Sequence, residues 1–308
     1  MASPSIPRKP ASRFRISRKM LPYVLSLPAL LVCIGILIPF VTAVIYSFQR
    51  YRLSQPWSRQ FNWGENYYNF LFNDPGFWNT LKISLLYAGI TVTLELLLGL
   101  GIALLLQKRS RVNNFISIML LLPLMIAPAL AALMWKLMTN PGFGILSYLA
   151  SWVGLHNFRW ASSPDTALLT VVLVDIWVYT PFIMILLLAG LRSLPTQPFE
   201  AAALDGVPRT FVFFRITLPM LTPYILTATL FRLLDSIQQF DIIYAMTQGG
   251  PGNALTVFQV EAYLNFFQST NVGRSAALMV ILWAITYLLS NIFIKNWLRL
   301  RERARGEA

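Results

Sequence analysis

Six apolar segments constrain this 308-residue chain more than any other feature. They run over about 21–46, 81–106, 115–138, 166–190, 219–245 and 274–297. Each is long enough to cross a lipid bilayer, which takes about 20 residues of helix. None shows the period-two alternation of a barrel strand, and an isolated strand leaves its backbone polar groups unpaired in hydrocarbon. The chain is therefore expected to be an all-α integral membrane protein with six transmembrane helices. Composition agrees: 56% of residues are hydrophobic and 12% charged, about half the charged share of a soluble domain.

The formal net charge is +13, which taken alone would suggest a nucleic-acid partner. The placement of the cations points to a membrane instead. Seventeen Lys and Arg fall in the tail 1–20, the 107–114 loop, the 191–218 loop and the C-terminal segment, against seven in the alternate loops. Cations collect on the cytoplasmic side of a membrane protein, so both termini and the 191–218 loop are expected there. Arg8, Lys9, Arg13, Arg15, Arg18 and Lys19 precede an apolar run too long for a cleaved signal. This reads as a basic tail over 1–20 that meets anionic headgroups, a six-helix domain over 21–297, and a basic C-terminal tail over 298–308. No nucleic acid is expected as a partner.

Metal and disulfide chemistry find little footing. The single cysteine, Cys33, lies in the first apolar segment, and the single histidine, His156, in a loop. One of each makes neither an intrachain disulfide nor a zinc site. His156 and Asp165 are the only pair in a non-cytoplasmic loop that invites an enzyme reading. They stand nine residues apart with no nucleophile signature beside them. No catalytic residue, metal ligand or bound cofactor is assigned to this chain.

The 194–219 loop is more informative. Pro195 and Pro198 interrupt what precedes, and Thr196 or Gln197 opens a short helix with Pro198 in its first turn. Glu200 falls where the helix dipole favours an anion. Ala201, Ala202 and Ala203 are strong helix formers with a low profile that permits close approach by a partner. Asp205-Gly206 supplies the stop, since Gly tolerates a left-handed conformation. Pro208 starts a second short helix carrying Phe211, Phe213 and Phe214. Physical reasoning alone leaves two readings: a docking element, or an amphipathic hairpin lying on the membrane.

The residues Glu200-Ala201-Ala202, Asp205-Gly206, Phe214, Ile216, Leu218-Pro219 and Pro223 resemble the EAA motif of binding-protein-dependent ABC importer permeases. Leu188-Ala189-Gly190-Leu191 with Pro195, and Phe240-Asp241, Thr247, Gly249-Gly250-Pro251 and Thr256, resemble the carbohydrate, maltose-transporter-like subfamily, and its first permease subunit in particular. The resemblance implies the type I importer permease fold, with Glu200, Ala201, Ala202, Ala203, Asp205 and Gly206 on a coupling helix seated in an ATPase subunit. It also implies the partners: two ATP-binding-cassette subunits that hold ATP and Mg, a second homologous permease, and an extracytoplasmic solute-binding protein. The implied setting is the plasma or inner membrane of a bacterium or archaeon. Two features depart from the pattern. Val207-Pro208 replaces the small residues common after Asp-Gly, and the 47–80 loop lacks the large insertion of some maltose-type subunits.

Polar residues inside the spans complete the picture. A charge at mid-bilayer costs at least about 2.5–3.5 kcal/mol, so it turns toward a bundle interior or a pathway. Glu95, Asp175, Arg232 and Asp235 are the cases here. Arg232 and Asp235 share a helix face at i, i+3. With Gln238, Gln239 and Asp241 they make the fifth segment too polar to face lipid. Trp177 and Tyr179 offer faces on which a sugar ring stacks. These seven form a candidate substrate pathway, while Glu95 and Asp175 are expected to pair within the protein. The resulting expectation is the permease of an ATP-driven importer of a sugar or polyol glycoside. The alternatives are an importer of another solute such as a glycerol phosphodiester, and a non-transporting membrane scaffold or enzyme. The chain lacks a Gly-x-x-x-x-Gly-Lys-Ser/Thr loop, so ATP chemistry must reside in other subunits.

Overall fold

The computed structural model describes residues 21–155 and 158–305. The basic tail over 1–20 and His156 lie outside the described residues. Residues up to Ile45 and residues from Tyr46 onward form two separate units. The first holds nearly all of helix α1 (Leu21–Ser47), an apolar helix with Pro28 and Pro39 inside it. At 1.5 Å per residue its 27 residues reach about 40 Å, enough to span.

The second unit opens with a two-stranded antiparallel hairpin, β1 (Gln49–Arg50) and β2 (Gln60–Phe61), then the single turn α2 (Glu65–Tyr68). Helix α3 (Pro75–Leu106) starts where the Asp74 carboxylate accepts from the Gly76 N–H and Pro75 takes the first helical position. Helix α7 (Pro164–Ser193) is its principal neighbour and ends at Leu194-Pro195. Gly99 sets their approach, because a Cβ there would lie 2.8 Å from the Ile183 side chain and 3.1 Å from the Met184 nitrogen. Helix α10 (Leu218–Ile237) packs across both. The chain finishes in α11 (Asp241–Thr247), α12 (Phe258–Phe267) and α13 (Val272–Arg305). Helix α13 carries its regular structure through residues 298–305 of the basic C-terminal segment.

Two apolar segments depart from single straight spans. The third is broken into α4 (Arg111–Leu120), a tight turn at Pro123–Met125, and α5 (Pro128–Met138). Pro123 and Pro128 each remove a backbone donor and crowd the preceding turn, and here two prolines five residues apart coincide with the break. Among the described residues five helices are long and apolar enough to span by themselves, and the broken segment is compatible with a sixth crossing. The fifth segment stops at Ile237 and restarts at Asp241, because Gln239 turns its side chain inward. A third difference lies in the 139–165 loop, which sequence reasoning leaves irregular after its turn. There Ile145–Trp152 forms a two-turn helix, α6.

Candidate functional site

The 194–219 loop folds as a helical hairpin. Helix α8 spans Gln197–Leu204, with Thr196 at its N-terminal cap position and Pro198 in its first turn. The Thr196 carbonyl accepts from the N–H groups of Phe199 and Glu200, each at 3.0 Å. At the other end the Val207 N–H donates to Ala202 and the Gly206 N–H to Ala203, at 3.1 and 3.3 Å. This is a Schellman closure, which needs a left-handed residue at its turn, and Gly206 sits at φ +66°. Pro208 then leads into α9 (Arg209–Val212) and a wide-pitched turn, Phe213–Thr217, continuous with α10. Of the six residues expected on a coupling helix only Ala202 is buried; Glu200, Ala201, Ala203, Asp205 and Gly206 face solvent. Leu204 is 89% exposed, and Phe211 and Phe214 later in the same loop are exposed as well. A cavity of about 510 Å³ runs along α8, lined in part by Gln107, Arg109, Phe199 and Ala203.

The hairpin is anchored by a residue to which sequence reasoning gave no role beyond its charge. Arg192, in the last turn of α7, donates to the carbonyls of Leu106 and Gln107 at 3.0 and 3.4 Å, and to the Asn114 side chain at 3.3 Å. Those carbonyls are unpaired at the end of α3, where the helix dipole also favours a cation. Arg192 thus binds the end of α3 and the start of α4 to the helix that leads into α8. The sequence signal was no more than a cation in the last turn of an apolar segment; its acceptors lie on another helix.

The second group lies between α3, α7 and α10. Arg232 is 1% exposed and its guanidinium is saturated by carboxylates. Its Nε and Nη2 donate to the two oxygens of Glu95 at 2.6 and 3.0 Å, Nη2 also donates to Asp175, and Nη1 to Asp235 at 2.8 Å. The Tyr179 ring lies 4.0 Å from its Cζ, and Gln239 donates to the second Asp175 oxygen at 3.2 Å. Burying a lone charge is prohibitive, and the planar fork of Arg meets several carboxylates at fixed angles. Thr91 and Ser236 hydroxyls, 2.8 Å apart, add a further α3–α10 contact.

These contacts divide the seven candidate pathway residues. Arg232 and Gln239 are buried in the cluster with Glu95 and Asp175. Trp177 is half-buried, its ring edge-on to Trp135 of α5 at 5.9 Å, and Tyr179 is half-buried beneath Arg232. Asp235, with a 54% exposed side chain, is joined by Gln238 and Asp241 in reaching solvent. The cluster is formally one cation against three carboxylates, with its accessible edge acidic.

Residues 95–305 match the family described as binding-protein-dependent transport system inner membrane component. A probable ABC transporter permease protein of Sinorhizobium fredii, y4oQ, is 35% identical over 82% of this chain and 82% of its own length. The trehalose/maltose transport system permease protein MalF of Thermococcus litoralis is 32% identical over 71% of this chain and 74% of its own. Among solved structures, a bacterial ABC transporter that imports the acidic polysaccharide alginate superposes with a TM-score of 0.78 at 21% identity, over 92% of this chain and 96% of that one. The same kind of importer, in complex with an alginate pentasaccharide-bound periplasmic protein, gives 0.76 at 20% identity, over 90% and 93%.

Proposed function

We propose that this chain, which belongs to the family of binding-protein-dependent transport system inner membrane components, is the sugar-translocating permease of an ATP-driven importer. The observation that carries the reading is the α8–α9 hairpin. Its closure is complete within itself, yet it holds Leu204, Phe211 and Phe214 out to solvent. Exposed apolar side chains on a rigid base suit a protein partner, here an ATP-hydrolysing subunit on the cytoplasmic side. Two such subunits would hold ATP and Mg, and a second, similar permease would complete the membrane part. Closure of the ATPase pair would push on α8. Arg192 would pass that movement to α3 and α4, and the Arg232 cluster would keep α3, α7 and α10 moving together.

A sugar or polyol glycoside is the proposed solute. A trehalose/maltose permease among the relatives supports it, as do the exposed polar groups of Asp235, Gln238 and Asp241. The acidic edge of the cluster disfavours a phosphodiester or another anion. Solute is proposed to arrive on an extracytoplasmic binding protein, as the alginate importer's complex suggests by analogy.

The test is a pull-down from lightly cross-linked native membranes, wild type against Glu200→Ala combined with Gly206→Pro. Wild type should bring down an ATPase, a second permease and a binding protein, and the variant should lose the ATPase alone. ATP hydrolysis by the assembled complex should rise with a neutral saccharide on the binding protein. Wild type that purifies alone and stable would sink the importer reading.

A further inference from the structure

The β1–β2 hairpin and the first turn of α13 enclose a pocket of about 480 Å³, remote in sequence from both groups above. Its walls are polar: Arg50, Arg52, Glu65, Asn69, Asn271 and Arg274 are among the lining residues. Most of its charges are already matched. Arg50 grips both oxygens of Glu65 at 2.5 and 2.7 Å, and that bond holds the Glu65 carboxyl below its ordinary range. Arg274 pairs with Asp74 at 2.5 Å, its guanidinium over the Phe70 ring. Arg52 is different. Its side chain is exposed and makes no ion pair or hydrogen bond among the described residues. Arg59, on the same hairpin, is held by Gln49 and by the Tyr46 and Tyr51 rings, with no carboxylate partner among the described residues. The hairpin therefore carries surplus positive charge at a pocket rich in amide groups. Beside it Trp57 and Trp63 are 82% and 89% exposed, an arrangement of aromatic and Arg anchors typical of protein interfaces.

We propose that this pocket receives an acidic side chain of the extracytoplasmic solute-binding protein, with Arg52 as its cation and Trp57 and Trp63 as flanking contacts. The proposal rests on the importer reading above, which places this end of the molecule outside the membrane. The hairpin is also fastened to the last span. The Leu53 N–H donates to Thr270 at 2.8 Å and the Gly273 N–H to Tyr51 at 3.1 Å. At Gly273 a Cβ would lie only 2.1 Å from the Gln49 carbonyl oxygen, so the two backbones touch. A partner seated on the hairpin thereby bears directly on the first turn of α13.

The experiment uses the whole transporter in nanodiscs and the binding protein identified by the pull-down. ATP hydrolysis is titrated with saccharide-loaded binding protein at two salt concentrations, for wild type, Arg52→Gln and Arg52→Glu. Arg52 is exposed, so neither variant endangers folding. Arg52→Glu should raise the half-saturating concentration about tenfold, with maximal and basal rates unchanged. Arg52→Gln should fall between, and both should weaken the salt dependence. An unchanged half-saturation in Arg52→Glu would overturn the proposal. So would an effect that tracks the anionic lipid content of the nanodisc, or competition by a free acidic saccharide, since each names a different occupant. A wild-type complex that no binding protein stimulates would instead refute the importer reading on which the pocket depends.

Discussion

The α8–α9 hairpin closes its turn with bonds that reach back three and five residues, from Gly206 to Ala203 and from Val207 to Ala202. The Arg232 cluster joins side chains 57 and 137 positions apart. The hairpin buries one residue of its alanine run and shows Leu204 and Phe211 to solvent. The cluster hides its cation and two of its three carboxylates. The contrast separates two duties. A self-sufficient exposed element can be altered without endangering the fold, so its residues are free to serve a partner. A buried long-range network holds three helices in register, and its residues are not free. Stability and activity should therefore respond in opposite order across the two regions.

The largest stability effect is expected at the centre of the cluster. Arg232→Met leaves Glu95 and Asp175 buried without a cation, a loss of about 3–5 kcal/mol. Thermal unfolding in detergent and the yield of monodisperse protein would read it. A Tm equal to wild type would mean that the cluster does not hold the helices. The double variant Arg232→Met with Glu95→Leu should lose less than the sum of the single losses, a coupling of about 0.5–3 kcal/mol.

The same contrast explains what could be read in advance. The apolar runs, the hairpin's proline and glycine boundaries and the i, i+3 spacing of Arg232 and Asp235 are local signals, and each corresponds to a feature of the fold. That Glu95 and Asp175 both meet Arg232 depends on how α3 and α7 rotate about their axes. Contacts such as that of Gly99 with Ile183 set that rotation, and no window of sequence contains both partners. Arg192 was hidden for the same reason, since its acceptors are the carbonyls of another helix. The break after Ile237 was missed because Gln239 has its reason to turn inward on α7.

A smaller effect is expected at the hairpin's turn. Gly206→Val places a β-branched residue at φ +66°, at a cost of about 1–3 kcal/mol. If the hairpin is self-contained, that strain is relieved by local fraying of α8 and the spans stay folded. ATPase association should then fall sharply while Tm moves by only a few degrees. Cooperative unfolding of the whole chain by this variant would erase the distinction between the two regions.

Asp235 tests the boundary between them, because it belongs to the cluster yet has a half-exposed side chain. Arg232 keeps Glu95 and Asp175 when Asp235 is removed. An ion pair with one exposed member contributes about 1 kcal/mol or less. Asp235→Ala should therefore leave assembly near wild type and impair solute uptake. Uptake of radiolabelled saccharide, normalised to membrane-inserted protein, separates the two. Normal uptake would remove Asp235 from the pathway and return it to the structural side.

The smallest stability effect is expected at Leu204, where the functional effect should be among the largest. Its side chain is 89% exposed at the end of α8 and buries too little for its loss to matter to the fold. Leu204→Ala should change stability by no more than about 0.5 kcal/mol. On the proposed reading this leucine, with the exposed Phe211 and Phe214 of the same loop, is covered by the ATPase subunit. Truncating an anchor at a protein interface commonly costs more than about 1 kcal/mol of binding, or some fivefold in affinity. Loss of ATPase capture at unchanged Tm would place the site in the hairpin's outward face. Unchanged capture would move the contact to Ala201 and Ala203, the low face of the same helix, where replacement by a larger residue becomes the discriminating substitution.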